Sequence, residues 1–110
     1  MEITKVVIDG ASRTTLLDAL HRTFTCDYRF TTDDIVILFV QKFFFRVSSN
    51  LLTTIILDFT DRYRCKIEII TGGGAQGLFS ITWGSERSSN AQVVTFLRKI
   101  CEENVWRLHE

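Results

Sequence analysis

A short alternating stretch in the second half of the chain constrains the fold more than any other feature of the sequence. From residue 63 to residue 69, apolar or aromatic residues occupy the odd positions, and the even positions are mostly charged. This period of two is typical of a β-strand with one buried face and one face in water. A second alternating run, residues 79–83, follows a glycine-rich segment at residues 71–77. The two runs predict a β-hairpin closed by a glycine loop.

Periodicity, turn residues and caps predict the remaining elements. Ser12 is a suitable N-cap for a helix with one apolar side, and Ser89 with Gln92 forms a capping box for a second helix. The run 35–47 is apolar on both faces, as in a central strand. In chain order we predict strands at 3–8, within 24–30, and at 35–47, 51–59, 63–69 and 79–83, with helices at 12–24 and 89–105 and fraying beyond Trp106.

These elements predict an α+β fold for a single domain of 110 residues. One antiparallel sheet of about six strands, in the element order β-α-β-β-β-β-β-α, carries both helices on one face. The turns set a register in which Val47 faces Leu51 and Phe59 faces Tyr63. Odd-numbered strand residues then form the predicted inner face, which comprises Phe39, Phe43, Phe45, Ile55, Leu57, Phe59, Tyr63, Cys65, Ile67, Ile69, Phe79, Ile81 and Trp83.

The outer face of the predicted sheet carries an apolar patch that no helix covers. In the predicted register, Leu52, Ile70 and Leu78 lie in one row with Arg46, and Phe44 lies one row away. An uncovered apolar row favours self-association. We therefore expect a non-enzymatic binding or regulatory module that forms a homodimer, with its interface at Phe44, Leu52, Ile70 and Leu78.

A carrier of a small apolar ligand is the alternative function that the pattern supports. Phe39, Phe43, Tyr63 and Trp83 all lie on the predicted inner face. There they would line a pocket between the helices and the sheet, and pockets for small ligands are mostly apolar and aromatic.

The glycine loop offers an anion-binding alternative to a plain turn. Gly72, Gly73 and Gly74 could let successive backbone amides converge on a phosphate, and Arg46 would lie at the same end of the sheet. Phosphate loops usually open a helix and supply a lysine, whereas here a predicted strand follows and the loop holds no lysine. A hairpin connection is therefore the favoured interpretation.

Charge and histidine content argue against several other functions. Thirteen Lys and Arg residues balance thirteen Asp and Glu residues, so no global field favours nucleic acid. The two histidines, His21 and His109, are predicted to lie far apart, and no nucleophile or zinc motif accompanies them. We therefore expect no catalytic residue, no metal and no cofactor.

Cysteine usage and hydropathy predict a reduced, cytoplasmic protein. Cys26, Cys65 and Cys101 are an odd set without C-x-x-C spacing, and the N-terminus lacks the pattern of a secretion signal. The longest apolar run, residues 35–40, is far shorter than the ~20 residues that cross a bilayer. No membrane-spanning helix is predicted.

The order of elements, together with the segment TGGGAQGLF at residues 71–79, resembles a family of small bacterial proteins known as domain of unknown function 6054. Its members are similar in having a Gly-Gly-x-Gln-type segment before the last strand, and the likeness runs over nearly the whole chain. The family has no established activity, so the resemblance implies a fold of this kind and assigns no catalytic residue.

Overall fold

The computed structural model describes residues 2–24, 26, 28–40, 52–72 and 82–110, and of residues 82–89 it describes the backbone course. Its elements are β1 (Glu2–Asp9), α1 (Arg13–Thr23), β2 (Tyr28–Thr31), β3 (Ile35–Val40), β4 (Leu52–Asp61), β5 (Arg64–Gly72), α2 (Thr82–Asn104) and β6 (Arg107–His109). The strands form one antiparallel sheet in the order β2-β3-β4-β5-β1-β6. The predicted α+β class and single antiparallel sheet are confirmed.

The last third of the chain differs from the prediction at two elements. Thr82 and Trp83, predicted to end a strand, begin α2, so Ser89 lies inside the helix and not at its N-cap. The first turns of this helix are mostly polar, so they lack the apolar periodicity that would have indicated a helix. The sixth strand comes instead from residues 107–109, which were predicted to fray but pair with β1.

The turn between α2 and β6 shows how the chain reverses. Val105, predicted as the last residue of the second helix, is 89% exposed and has a φ of 60°. The N–H of Trp106 donates to the Cys101 carbonyl at 2.9 Å, which is the long bond of a Schellman motif. The left-handed residue therefore ends the helix and returns the chain to the sheet, where Trp106 and Leu108 pack against the core.

Alternation divides the sheet into two faces with different burial. The core face consists of Val6, Ile8, Val36, Leu38, Val40, Thr53, Ile55, Leu57, Cys65, Ile67, Ile69 and Thr71, all of them buried. Its apolar members share one hydrophobic core with the buried residues of both helices, among them Leu16 and Leu20 of α1 and Val93 and Leu97 of α2. Each large apolar side chain buried there contributes about 1.5–3 kcal/mol before conformational entropy is subtracted. The alternate residues of the same strands form the open face.

The register of β3 is opposite to the prediction. Val36 faces Leu57, so the even-numbered residues of β3 join the core face, and Phe39 lies on the open face. The run 35–47 is apolar on both faces, so alternation could not choose between them. The choice depended on a turn that pairs Val47 with Leu51, and both residues lie outside the described part of the chain.

β4 and β5 keep their predicted faces with a shifted register. Asp58 pairs with Lys66, whereas the predicted pairing of Phe59 with Tyr63 would have placed Asp58 opposite Arg64. The pairing is irregular between Asp58 and Asp61, as in a β-bulge, which adds chain to β4 before the turn. The backbone N–H and the hydroxyl of Thr60 both donate to the Asp58 carboxylate, at 2.9 and 2.5 Å, and hold this bulge. The partner of Asp58 moves by two residues, so the buried positions stay on the same face.

A buried polar network fastens α2 to the sheet. Asn90 is 1% exposed, and its amide nitrogen donates to Thr4 Oγ1 at 3.0 Å and to two carbonyls of β1 and β5 at 3.1 Å. Its Oδ1 accepts from the Thr71 hydroxyl at 2.6 Å, and Thr71 Oγ1 lies 3.0 Å from Thr53 Oγ1. Because its amide group is fully hydrogen-bonded, Asn90 is accommodated in the core and sets where the helix lies on the strands. The sequence pattern predicted no role for it.

Candidate functional site

The open face carries a continuous field of apolar side chains, which we call the open-face patch. Cross-strand pairing sets out its rows. One row runs Tyr28, Phe39, Thr54, Ile70, Ile3, and the next begins Phe30, Ile37, Ile56. Ile35 and Leu52 extend the patch along β3 and β4. The patch therefore reaches across five neighbouring strands, from β2 to β1.

The outer members of the patch are well exposed. Tyr28 is 60% exposed, Ile3 53% and Phe30 47%, while Ile37 and Ile56 are half-buried by their neighbours. The rings of Tyr28 and Phe39 pack against each other with their centroids 5.7 Å apart. Single exposed apolar residues are common on proteins, whereas a contiguous field of them marks an interaction surface.

Charged residues of both signs occupy the part of the open face nearer the β4–β5 turn. Asp58 faces Lys66, and Lys5 faces Glu68, so opposite charges pair across the strands. At the corner, the Asp9 carboxylate accepts a hydrogen bond from Arg64 Nε at 2.8 Å and lies 2.8 Å from His109 Nε2. The hydrogen bond from Arg64 holds the pKa of Asp9 below its usual range.

Two of the four predicted interface residues are described, while the interface itself stays a prediction. Leu52, which is 39% exposed, and Ile70 both lie on the open face, and Ile70 has Thr54 and Ile3 as its cross-strand neighbours. Phe44 and Leu78 lie outside the described residues. The prediction missed the aromatic residues of β2, although their alternation over residues 28–30 was the signal that could have found them.

The predicted ligand set is not brought together. Phe39 lies on the open face opposite the middle of β4, whereas Tyr63 is 71% exposed in the turn after β4. The inner-face position predicted for Phe39 is therefore wrong, for the register reason given above. Trp83 lies in the first turn of α2, and Phe43 lies outside the described residues.

The predicted anion loop is described at only one of its positions. Gly72 is the last residue of β5 and pairs with Leu52, so it belongs to the sheet. Gly73, Gly74 and Arg46 lie outside the described residues.

A cleft, which we call the turn-end cleft, opens where three connections of the chain meet at one end of the sheet. It has a volume of about 590 Å³. Its lining comes from the β1–α1, β2–β3 and β4–β5 connections, the first residue of α1 and the end of β4, and comprises Gly10, Ala11, Ser12, Arg13, Asp33, Asp34, Phe59, Thr60, Arg62 and Tyr63. Of Phe39 and Tyr63, the two predicted ligand residues whose side chains are described, Tyr63 lines this cleft and Phe39 does not.

Phe59 and Arg13 form the interior of the turn-end cleft. The Arg13 guanidinium lies 5.4 Å from the centre of the Phe59 ring. This distance is typical of a cation–π interaction, in which a cation lies on the face of an aromatic ring. Arg13 also donates hydrogen bonds to the carbonyls of Thr32 and Asp33. This arginine is therefore already engaged by the protein.

The two buried cysteines, Cys65 and Cys101, are poorly suited to nucleophilic chemistry. Burial raises the pKa of Cys65 to about 12 and also raises the pKa of Cys101, so both thiols stay protonated at neutral pH. Both belong to the hydrophobic core, as predicted. Among residues 2–24, 26, 28–40, 52–72 and 82–110, no three His, Cys, Asp or Glu side chains are grouped so as to hold a metal ion.

Comparison with known proteins gives no relative: no protein-family model, no curated protein and no solved structure matches the chain. The resemblance to domain of unknown function 6054 therefore stays a prediction. Neither described helix is long and apolar enough to cross a membrane.

Proposed function

We propose that this protein is a non-enzymatic binding module that forms a homodimer by packing its open face against the open face of a second copy. The observation that carries the proposal is the open-face patch, with Tyr28, Phe30 and Ile3 largely exposed at its margins. Removing such a surface from water is favourable in proportion to the apolar area buried.

The size of the patch suits a dimer interface. Strands lie about 4.8 Å apart, and side chains on one face repeat about every 6.8 Å along a strand. One row of the patch spans five strands, the next spans three, and Ile35 and Leu52 add one position each, so the patch covers about 330 Å² in projection. A stable interface buries about 800 Å² of accessible surface on each partner, which the patch supplies together with the charged rows beside it.

A second copy is the occupant that fits the arrangement of charge. In a two-fold dimer the same surface meets itself, so apolar residues meet apolar residues. Lys5, Lys66 and Arg64 alternate with acidic residues on the same face, so two copies bring no excess of like charge together. A partner with a large charge of one sign would not be electrostatically complementary to this face, because the face carries charges of both signs.

Replacing Ile70 by Lys tests the proposal. A lysine in the middle of the patch should convert the dimer to a monomer, because it would place a charge in an apolar interface. The measurement is sedimentation across a concentration series, with thermal unfolding followed by circular dichroism. Thr14→Lys on the exposed side of α1 adds the same charge away from the patch and should leave the dimer intact.

A second variant separates loss of association from loss of folding. Tyr28 is more exposed than Ile70, so Tyr28→Lys should disrupt the dimer with less effect on the fold. A wild-type protein that sediments as a monomer at the highest concentration reached would refute the proposal. A dimer that survives both substitutions would refute it as well.

A further inference from the structure

The walls of the turn-end cleft are tied together by backbone hydrogen bonds. The N–H of Phe59 donates to the Asp34 carbonyl at 2.7 Å, which joins the end of β4 to the β2–β3 turn. The N–H of Gly10 donates to the Tyr63 carbonyl at 2.8 Å, which joins the β1–α1 turn to the β4–β5 turn. A cleft held in this way is preformed, so a ligand does not have to order it on binding.

The cleft offers apolar surface between charges of opposite sign. Phe59 is half-buried inside it, and Tyr63 is exposed at its margin. Arg62 lies on the β4–β5 turn, and Asp33 and Asp34 lie on the β2–β3 turn. Phe59, at the end of the strand between these two turns, therefore lies between the basic and the acidic side of the cleft.

The outer charges are available to a ligand. Arg62 and the carboxylates of Asp33 and Asp34 are exposed, and within the described part of the chain none of them forms an ion pair. Arg13 is occupied by the carbonyls of Thr32 and Asp33. The cleft therefore presents one unengaged guanidinium and two unengaged carboxylates, a balance that disfavours a polyanion such as phosphate.

From this geometry we infer that the turn-end cleft binds a small zwitterion with an aromatic body, the chemistry of a free aromatic amino acid. The ligand carboxylate pairs with the Arg62 guanidinium, which suits a bidentate contact. The ligand ammonium pairs with the carboxylate of Asp34, and the aromatic body lies against Phe59 and Tyr63. A volume of about 590 Å³ accommodates a ligand of this size.

Binding can be followed on the 110-residue chain through the backbone amide shifts of Gly10, Phe59 and Tyr63. The probes are free L-phenylalanine, its N-acetyl derivative, which lacks the cation, its carboxamide, which lacks the anion, and inorganic phosphate. Free phenylalanine should shift these amides in a saturable way. Each derivative should bind about tenfold more weakly, because it loses one charged hydrogen bond.

Two substitutions assign the charges of the cleft. Arg62→Gln should weaken phenylalanine binding and abolish the preference for phenylalanine over its carboxamide. Asp34→Asn should abolish the preference over the N-acetyl derivative. Both residues are exposed, so circular dichroism should show an unchanged fold. Arg22→Gln, at the far end of α1, is the matched control and should change none of these affinities.

Three results would overturn the inference. The first is that none of these amide signals shifts at the highest phenylalanine concentration that can be dissolved. The second is a set of identical shifts with phosphate alone, since the cleft would then bind anions and not zwitterions. The third is that Arg62→Gln and Asp34→Asn each weaken the binding of phenylalanine and of both derivatives by the same factor. The charges of the cleft would then not discriminate between the three ligands. None of these results bears on the open face, whose variants are measured by sedimentation.

Discussion

Leu57 and Ile56 are neighbours in β4, yet they lie in different surroundings. Leu57 is fully buried on the core face, while Ile56 is half-buried on the open face between Ile37 and Glu68. Buried residues of both helices belong to the core on the first face, whereas the described neighbours of Ile56 on the second face are its cross-strand partners. An apolar residue in a strand therefore indicates that its position tends to be buried, while the packing of the whole chain decides what buries it.

β3 shows the same contrast within six residues. Its buried and half-buried positions alternate strictly, although all six residues are apolar. A strand with water on one face usually carries polar residues there. Self-association would therefore explain the apolar residues on the open side of β3, because a second copy would bury them.

Truncating Leu57 should give the largest effect. Leu57→Ala leaves a cavity in the core and should lower the free energy of unfolding by about 2–5 kcal/mol. Ile56→Ala, its matched control, should cost about 1 kcal/mol at a protein concentration where the chain is monomeric. Urea unfolding measures both, and equal costs at low concentration would contradict the difference between the faces. If the open face pairs in a dimer, the cost of Ile56→Ala should rise with protein concentration.

Removing Asn90 tests the polar end of the core face and should have an intermediate effect. Asn90→Ala removes one hydrogen-bond partner each from the hydroxyls of Thr4 and Thr71 and from two carbonyls, although Thr53 Oγ1 remains within 3.0 Å of Thr71 Oγ1. The free energy of unfolding should fall by about 1–3 kcal/mol. Gln92→Ala, on the exposed side of the same helix, should cost much less. Similar values for the two variants in urea unfolding would show that the network does not stabilise the helix position.

The charged corner of the open face should have the smallest effect, because its groups are partly in water. The pKa of Asp9 is lowered in the folded protein, chiefly by the hydrogen bond from Arg64. Its stabilising contribution is therefore present above the unfolded pKa of about 4 and is lost as the pH falls through the lower folded value. Asp9→Asn should lose less stability than wild type on acidification, as measured by urea unfolding at stepped pH.

Arg64→Gln provides the partner test for Asp9. It removes the donor that lowers the Asp9 pKa, so its acid profile should approach that of Asp9→Asn. An acid profile of Arg64→Gln that matches wild type would show that another group produces the acid dependence.

The alternating patterns of the sequence were sufficient for the class of fold and much of the core. The stripe of α1 and the odd-numbered positions of β4 and β5 were predicted correctly, because each segment has one apolar face and one polar face. Leu52 and Ile70 of the predicted interface likewise lie on the open face. The Ser12 N-cap was also correct, although its side chain makes no capping hydrogen bond.

Other features required contacts between distant parts of the chain. β6 has only three residues, too few for a periodic signal, and its pairing with β1 defines it as a strand. In the sequence, Asn90 cannot be told apart from other polar helix residues. Its buried role depends on hydrogen-bonding groups of β1 and β5, which are far from it in the chain. The turn-end cleft combines three turns far apart in sequence, so no local motif could indicate it.

By itself, then, the sequence determined an α+β domain with a single antiparallel sheet and the inward positions of its one-sided segments, because burial of one face imposes a period that local composition records. Only the tertiary structure decided which side of β3 faces the helices, since both sides are apolar and the strand's energy of burial is nearly the same either way. With this register, Phe39 lies on the open face beside Tyr28, and both residues belong to the patch from which the dimer is proposed.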